Sequence, residues 1–384
     1  MIKRPESTQA LLYEIVLMLT GRGVFMSWKV KTLEVRKDNW AETRISESDF
    51  ESDLEPNEVV FEAGRLAITS NNISYAFSGD ALAYWQFFPT DEGWGRIPAM
   101  GWASVVASNH PDIKVGERVW GFFPYTNYHK ILAGKVTSSS FSDVGEHRSI
   151  HAPVYCQFDK ALANPLYDAP REDQDSLLRG LFMTSWLVED FLNETDFGAE
   201  SCLITSASSK TSIALAHSVK TRGKMVSVGI TSARNKAFCE GLGCYDQVIT
   251  YDELETQLPS GAAVVVDMAG SAETLGRIHE RYGDALKHSC LIGATHYSEA
   301  GSLEGLPGPK PQFFFAPTHV QTRSAELGAS ILMGMLGKAY FGFRLFCDSW
   351  LKVNCAEGEH AAKDAYLAVL NGKLDASTGQ LIDM

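Results

Sequence analysis

Cysteine patterning is sparse in this chain. Its seven cysteines are scattered over 384 residues with no Cys-x-x-Cys pair. That excludes the common zinc modules and redox dithiols, and the mostly apolar neighbours suit free thiols in a reducing compartment. Basic clustering is missing too. No run of five Lys or Arg occurs and the formal charge is −13, so nucleic acid is not an expected partner. No stretch reaches 18 uninterrupted apolar residues, and no membrane role is expected. The apolar run from Leu11 to Thr20 is interrupted by Glu14 and lacks a convincing small-residue cleavage pattern after it, so it does not read as a signal peptide. Residues 1–26 read as a flexible extension of a cytoplasmic protein.

What is present is enough apolar residue, 45%, to fill two cores without disulfide or metal staples. Residues 27–172 carry short alternating runs at Trp28–Val35, Glu58–Ile68, Ala103–Ser108, Arg118–Phe123 and Tyr128–Leu132, which predict antiparallel strands of a partly closed barrel. The period then lengthens. Asp175–Leu192 has helical spacing and opens a second domain over residues 173–318. There, apolar blocks at Cys202–Thr205, Met225–Gly229, Gln247–Thr250, Val264–Asp267 and His288–Gly293 alternate with helices near 210–221, 233–242 and 271–281. Strands covered on both faces in a strand-helix alternation predict an α/β, doubly wound parallel sheet with its ligand crevice at the strands' carboxyl ends. Residues 299–318 read as a long loop, 321–340 as a helix, and 319–384 as C-terminal helices returning to the barrel.

Several segments together resemble the medium-chain dehydrogenase/reductase superfamily, in particular its zinc-free quinone oxidoreductase-like branch. They are Leu54–Val60, Ile113–Gly121 with Glu117 at the place of an Asp, Leu203–Ser212, Lys224–Gly229, Gly241–Thr250 and Val265–Gly270. The resemblance implies a GroES-like barrel, a Rossmann-like sheet and a nicotinamide dinucleotide. Two departures matter. Pro98–Ser104 holds no His or Glu where zinc-dependent members have both, so no metal is expected. The glycine-rich nucleotide turn here reads Ser206-Ala-Ser-Ser-Lys-Thr-Ser212, and each lost glycine adds a Cβ where the pyrophosphate should approach.

Small hydroxyls can still donate to phosphate at a helix start, so Ser206, Ser208, Ser209 and Thr211, with the cation of Lys210, are expected to bind cofactor. The alternative is a degenerate turn. A P-loop is excluded because Ser209 and Ile204 stand where it needs glycines. After the second strand, Ser232, Arg234 and Lys236 stand without an acidic neighbour, a set suited to a 2′-phosphate and hence to NADPH, or else a solvated basic helix start. By the resemblance, Thr184, Gly270 and Gly293 lie near the nicotinamide. Thr184 could instead bond its own backbone, and the glycines could be ordinary turns.

Metal-free hydride transfer needs a carbon already activated by conjugation. The expected function is therefore an NADPH-dependent reductase of an activated double bond or a quinone. The barrel segment Asn71–Tyr75 resembles the family's stretch beside the nicotinamide, which implies Tyr75 as the acid or oxyanion donor and Asn72 as the orienting residue; the other readings are a packed aromatic and a turn cap. Tyr84–Phe88, Trp94, Trp102 and Phe313–Phe315 could line a pocket for an apolar or aromatic substrate, and Phe313–Phe315 could equally form the seam of a homodimer. His296 either touches substrate or is a surface residue. The competing function is a non-catalytic dinucleotide-fold protein that binds a metabolite or a protein partner.

Overall fold

A computed structural model describes residues 27–51, 53–292 and 303–384. The extension 1–26, Gly293 and His296 lie outside the described residues. Strands β1 (Ser27–Arg36) and β2 (Thr43–Glu51) form an antiparallel hairpin, with Ser27 opposite Glu51 and Val35 opposite Thr43. β3 (Glu58–Ile68) leads into helix α1 (Ser70–Phe77), and the short β4 (Trp94–Gly95) joins the edge of β1. β5 (Ala99–Ser108), β6 (Arg118–Phe123), β7 (Tyr128–Gly134), β8 (Ser140–Asp143) and β9 (Gln157–Lys160) follow.

These strands close on themselves. The spatial order β3-β5-β6-β9-β8-β7 returns to β3 through a β3–β7 pairing, giving a closed six-stranded antiparallel barrel without free edges. Inward residues of alternate strands fill it: Phe61, Phe123, Phe141 and Phe158 are fully buried, with ring centroids 4.9 to 6.1 Å apart. The hairpin is pinned from within by Glu34. Its fully buried carboxylate accepts from Arg44 (2.8 Å), Arg96 (2.8 Å) and Thr90 (2.6 Å). Although burial alone would raise its pKa, those partners hold it below the usual glutamate value.

Helix α2 (Glu172–Thr195) connects the halves. One face carries Leu177, Leu178, Leu181, Phe182 and Leu192 at helical spacing, all buried, against a core that also holds Ala67 and Ile204. Close approach needs missing side chains: a Cβ on Gly180 would stand 1.9 Å from the Met100 sulfur, and one on Gly379 would stand 2.4 Å from Leu177. β10 (Ser201–Ile204), α3 (Lys210–Arg222), β11 (Val226–Thr231), α4 (Lys236–Leu242), β12 (Gln247–Thr250), β13 (Ala263–Asp267), α5 (Ala272–Tyr282), β14 (Leu286–Leu291) and β15 (Gln312–Phe313) build a parallel sheet ordered β12-β11-β10-β13-β14-β15. The expected α/β architecture, a GroES-like barrel plus a Rossmann-like doubly wound sheet, is the observed one.

Beyond the sheet, the expected single helix over 321–340 is two, α6 (Ala316–Leu327) and α7 (Ala329–Cys347), parted at Gly328 with φ +89. That left-handed backbone is open to glycine at little cost and breaks the run. β16 (Lys352–Glu357), α8 (Glu359–Leu370) and β17 (Thr378–Asp383) follow. β17 pairs antiparallel with β3, placing the chain's end on the barrel. Among the described residues no helix is long and apolar enough to cross a membrane.

Candidate active site

The sheet's crevice opens where β10, β11 and β13 end. Between β10 and α3, Ser206 takes φ +50, a backbone that costs a residue with a Cβ about 1–2 kcal/mol. Its N–H donates to the Tyr251 hydroxyl at 3.2 Å. Ser209 caps α3. Its Oγ accepts from Ser212 N at 3.1 Å and donates to Ser212 Oγ, which in turn donates to Thr205 O at 2.9 Å. A cap of this kind contributes about 1 kcal/mol. The hydroxyl proton of Ser209, one of the residues expected to bind cofactor, is directed inside the turn. Ser208 Oγ accepts from Asn235 Nδ2 at 2.9 Å.

What remains for an anion is the backbone. The N–H groups of Lys210 and Thr211, the first two of α3, meet no acceptor among the described residues, which is the donor pair a helix start offers to phosphate. Across from them, Thr205 Oγ1 donates to Asp267 Oδ1 at 2.5 Å and accepts from Met268 N and Ala269 N. Gly270, buried with φ +69, donates its N–H to Asp267 Oδ2 at 3.1 Å. These bonds fix the wall of the crevice.

Lys210 does not face it. Its ammonium donates to the carbonyl of Thr378, at the start of β17, at 2.6 Å, and no carboxylate among the described residues forms an ion pair with it. Burial pulls its pKa down to about 8 from an ordinary 10.5, opposed by Cys347 and Asp375. Between those values the unfolded chain holds a proton that the folded chain has released, so stability rises with pH across that window. Lys210→Met should abolish that rise in urea titrations at stepped pH. At pH 7 it should add about 1–2 kcal/mol, after allowing for partial exposure and the lost bond to Thr378.

The ribose-reading set is divided. Arg234 is exposed and forms no hydrogen bond or ion pair among the described residues, and Ser232 precedes it at the turn. Lys236 is committed elsewhere: its ammonium sits 2.9 and 3.1 Å from the two Glu253 oxygens. That bond, with donation from Thr250 N, drives Glu253 down to about 2.

A small cavity lies between barrel and helix, lined by Thr69, Asn71, Asn72, Tyr75 and Met100 on one side and Ser176, Leu177, Gly180 and Leu181 of α2 on the other. Its free space is about 20 Å³, on the order of one water. Asn72 and Tyr75, expected on a barrel segment, belong to helix α1. Asn72 is its capping partner: Oδ1 accepts from Thr69 N at 2.7 Å, and Nδ2 donates to Pro98 O at 2.8 Å. Both ends of that amide are engaged, so Asn72 positions the helix, and the second Nδ2 hydrogen is the one donor it keeps beyond the bond to Pro98.

Tyr75 differs. Its ring packs on Tyr84 at 4.8 Å and Phe122 at 6.4 Å, while its hydroxyl forms no hydrogen bond among the described residues. Burial, then Tyr155, pushes its pKa well above 10, so it stays protonated and can only donate or rest. Thr184 lies one turn beyond Gly180, bonds Gly180 O at 3.4 Å, and does not line the cavity.

The remaining candidates fall elsewhere. Phe313 and Phe315 are exposed at the sheet edge, and Phe314 packs inward on Phe191 and His319; none lines the cavity. Trp102 is buried against Tyr167. His217 packs on Phe343 and Phe346, and His319 pairs with Asp190 at 3.0 Å. His147 and His151 stand four residues apart but part company, one toward Asp143 and the other to Ala83 O. No set of three metal-ligating side chains occurs among the described residues.

Barrel, connecting helix and parallel sheet together have the fold of the medium-chain dehydrogenase/reductase superfamily. Residues 66–375 match the family described as Protein of unknown function (DUF2855), and the chain belongs to it. No curated protein matches it in sequence. Among solved structures it is similar to CurA from Vibrio vulnificus, with TM-score 0.60 and 13% identity over 92% of this chain and 98% of that one. CurA in complex with NADPH gives 0.58 and 13% over 88% and 94%. An Etr1p mutant in complex with NADP and crotonyl-CoA gives 0.58 and 13% over 94% and 100%.

Proposed function

We propose that the chain is a zinc-free, NADPH-dependent reductase acting on an activated, conjugated double bond or a quinone. The observation that carries this reading is the unpartnered N–H pair of Lys210 and Thr211 at the crevice, with the unpaired Arg234 at the end of the neighbouring strand. Those groups would hold the diphosphate and the 2′-phosphate. When bound, NADPH supplies the hydride. Tyr75 would donate a hydrogen bond to the substrate oxygen on which charge develops, its protonation secured by burial. Met100, Leu177 and Leu181 keep water from that oxygen.

The test is cofactor titration by fluorescence, followed by NADPH oxidation with a panel of enones and quinones. Saturable NADPH binding should weaken about ten- to a hundredfold in Arg234→Ala while NADH binding is unchanged, because one guanidinium–phosphate contact is removed. Equal losses for both cofactors would remove Arg234 from the ribose site. A second reading, binding without turnover, is favoured by the roughly 20 Å³ cavity, which must widen before a nicotinamide and a substrate can meet. NADPH binding with no oxidation across the panel is its expected result.

A further inference from the structure

At the opposite end of the parallel sheet, beside the starts of β11 and β13, a second cavity of about 270 Å³ opens. Ligand pockets commonly run from about 300 Å³ upward, so this one suits a single small metabolite and excludes a dinucleotide. Its inner wall is apolar: Leu192, Val219, Met225 and Val264 line it. Phe197, stacked on His288 at 4.5 Å, closes one side.

The charged groups around this wall sort into spent and unspent. Arg222 Nη2 donates to Glu189 Oε2 at 2.7 Å and its Nε to the other oxygen, so these two neutralise each other. Lys224 and Asp196, one charge of each sign, also line the cavity. Both are exposed, and neither forms a hydrogen bond or ion pair among the described residues. Asn193 gives its Nδ2 to Glu194 at 2.9 Å, and its Oδ1, withdrawn from solvent, accepts nothing.

Lys224, which acts on Glu189 only at a distance, Asp196, the unsatisfied amide oxygen and the apolar wall in one small cavity are complementary to a zwitterion with an apolar body. We propose that this cavity binds a free aliphatic α-amino acid. Its carboxylate meets Lys224, its ammonium meets Asp196 and, after a small rotation of the amide, Asn193. Its side chain lies on Leu192, Val219, Met225 and Val264. The site is independent of the reductase reading: it lies at the end of the sheet away from the crevice, although α2 lines both cavities.

Calorimetric titration of the full chain tests this with three probes that share one branched carbon chain. They are L-leucine, 4-methylpentanoate, which lacks the ammonium, and 3-methylbutylamine, which lacks the carboxylate. Leucine should bind saturably, and each single-charge analogue about tenfold or more weakly. Lys224→Ala should erase the advantage of leucine over the amine. Asp196→Asn should erase its advantage over the acid, and asparagine tolerates the left-handed φ of +47 at that position. Far-UV circular dichroism and the thermal midpoint, measured alongside, should be unchanged in both variants and show that they are folded. No saturable heat with millimolar leucine, equal affinity for leucine and 4-methylpentanoate, or parental leucine binding in both variants would overturn the assignment.

Discussion

Tyr75→Phe should lower kcat about a hundredfold, the usual consequence of deleting one donor to a developing oxyanion, and leave NADPH affinity and the thermal midpoint where they were. Each part of that expectation has its own cause. The ring contacts to Tyr84 and Phe122 survive the substitution, so packing is conserved. The hydroxyl has no bonded partner among the described residues, so its removal leaves no orphaned group behind. Because the hydroxyl is held protonated well above pH 10, the parent's pH–rate profile should show no ionisation from Tyr75 at alkaline pH below that value. A variant whose kcat stays within a few-fold of the parent would return Tyr75 to the role of a packed aromatic and move the proton donor elsewhere. A lowered melting point would point the same way.

The sequence offers Tyr75 as a candidate, but not its setting. The elements that announced themselves carry their signal locally: Cys202–Ile204 is a three-residue apolar block, and Leu177, Leu178, Leu181 and Phe182 repeat at helical spacing. Helix α1 was hidden because its capping pair is Thr69 with Asn72, where the usual sequence signature asks for Glu or Gln at the third position. β2 was hidden for a different reason. Its sequence TRISESDFE is polar on both faces and half exposed, so no alternation marks it, and it is a strand because its backbone pairs with β1 along nine positions.

At the nucleotide turn the sequence supplied the residue types but not their directions. Whether a serine hydroxyl faces a ligand or its own helix depends on the neighbouring acceptor. Here Thr205 O and Ser212 Oγ draw the chain of hydroxyls inward. Lys210 finds its partner 168 positions away, and Lys236 meets a glutamate 17 positions on. On the proposed reading the cofactor site leans on main-chain N–H groups and one arginine, with the serines serving the turn that presents them.

The placement of α2, and with it both cavities, depends on a polar contact that no local pattern reveals, and Asp175→Ala should destabilise the fold by about 3–5 kcal/mol. Asp175 Oδ1 accepts from the Tyr340 hydroxyl at 2.7 Å and from Arg344 Nη1 at 3.3 Å, with the Asp175 and Arg344 side chains each 4% exposed. Tyr340 and Arg344 stand one turn apart on α7, so one carboxylate gathers both, while Phe182 stacks on Phe343 at 5.0 Å beside them. Removing the carboxylate strands a buried guanidinium whose Nε already has no acceptor, leaving Arg344 only the Leu166 carbonyl at 3.2 Å. Asp175→Leu with Arg344→Met should recover most of the loss, since a buried pair contributes little beyond its apolar replacement. The pH dependence carries a definite sign. Burial raises the Asp175 pKa above 3.8 against the pull of Tyr340 and Arg344, so its contribution to stability falls as pH rises from 3.8 through the folded value. Urea unfolding of the parent, single and double variants at stepped pH checks all three expectations. A single variant within about 1 kcal/mol of the parent would mean that the stacked rings hold α7 on α2 without the carboxylate.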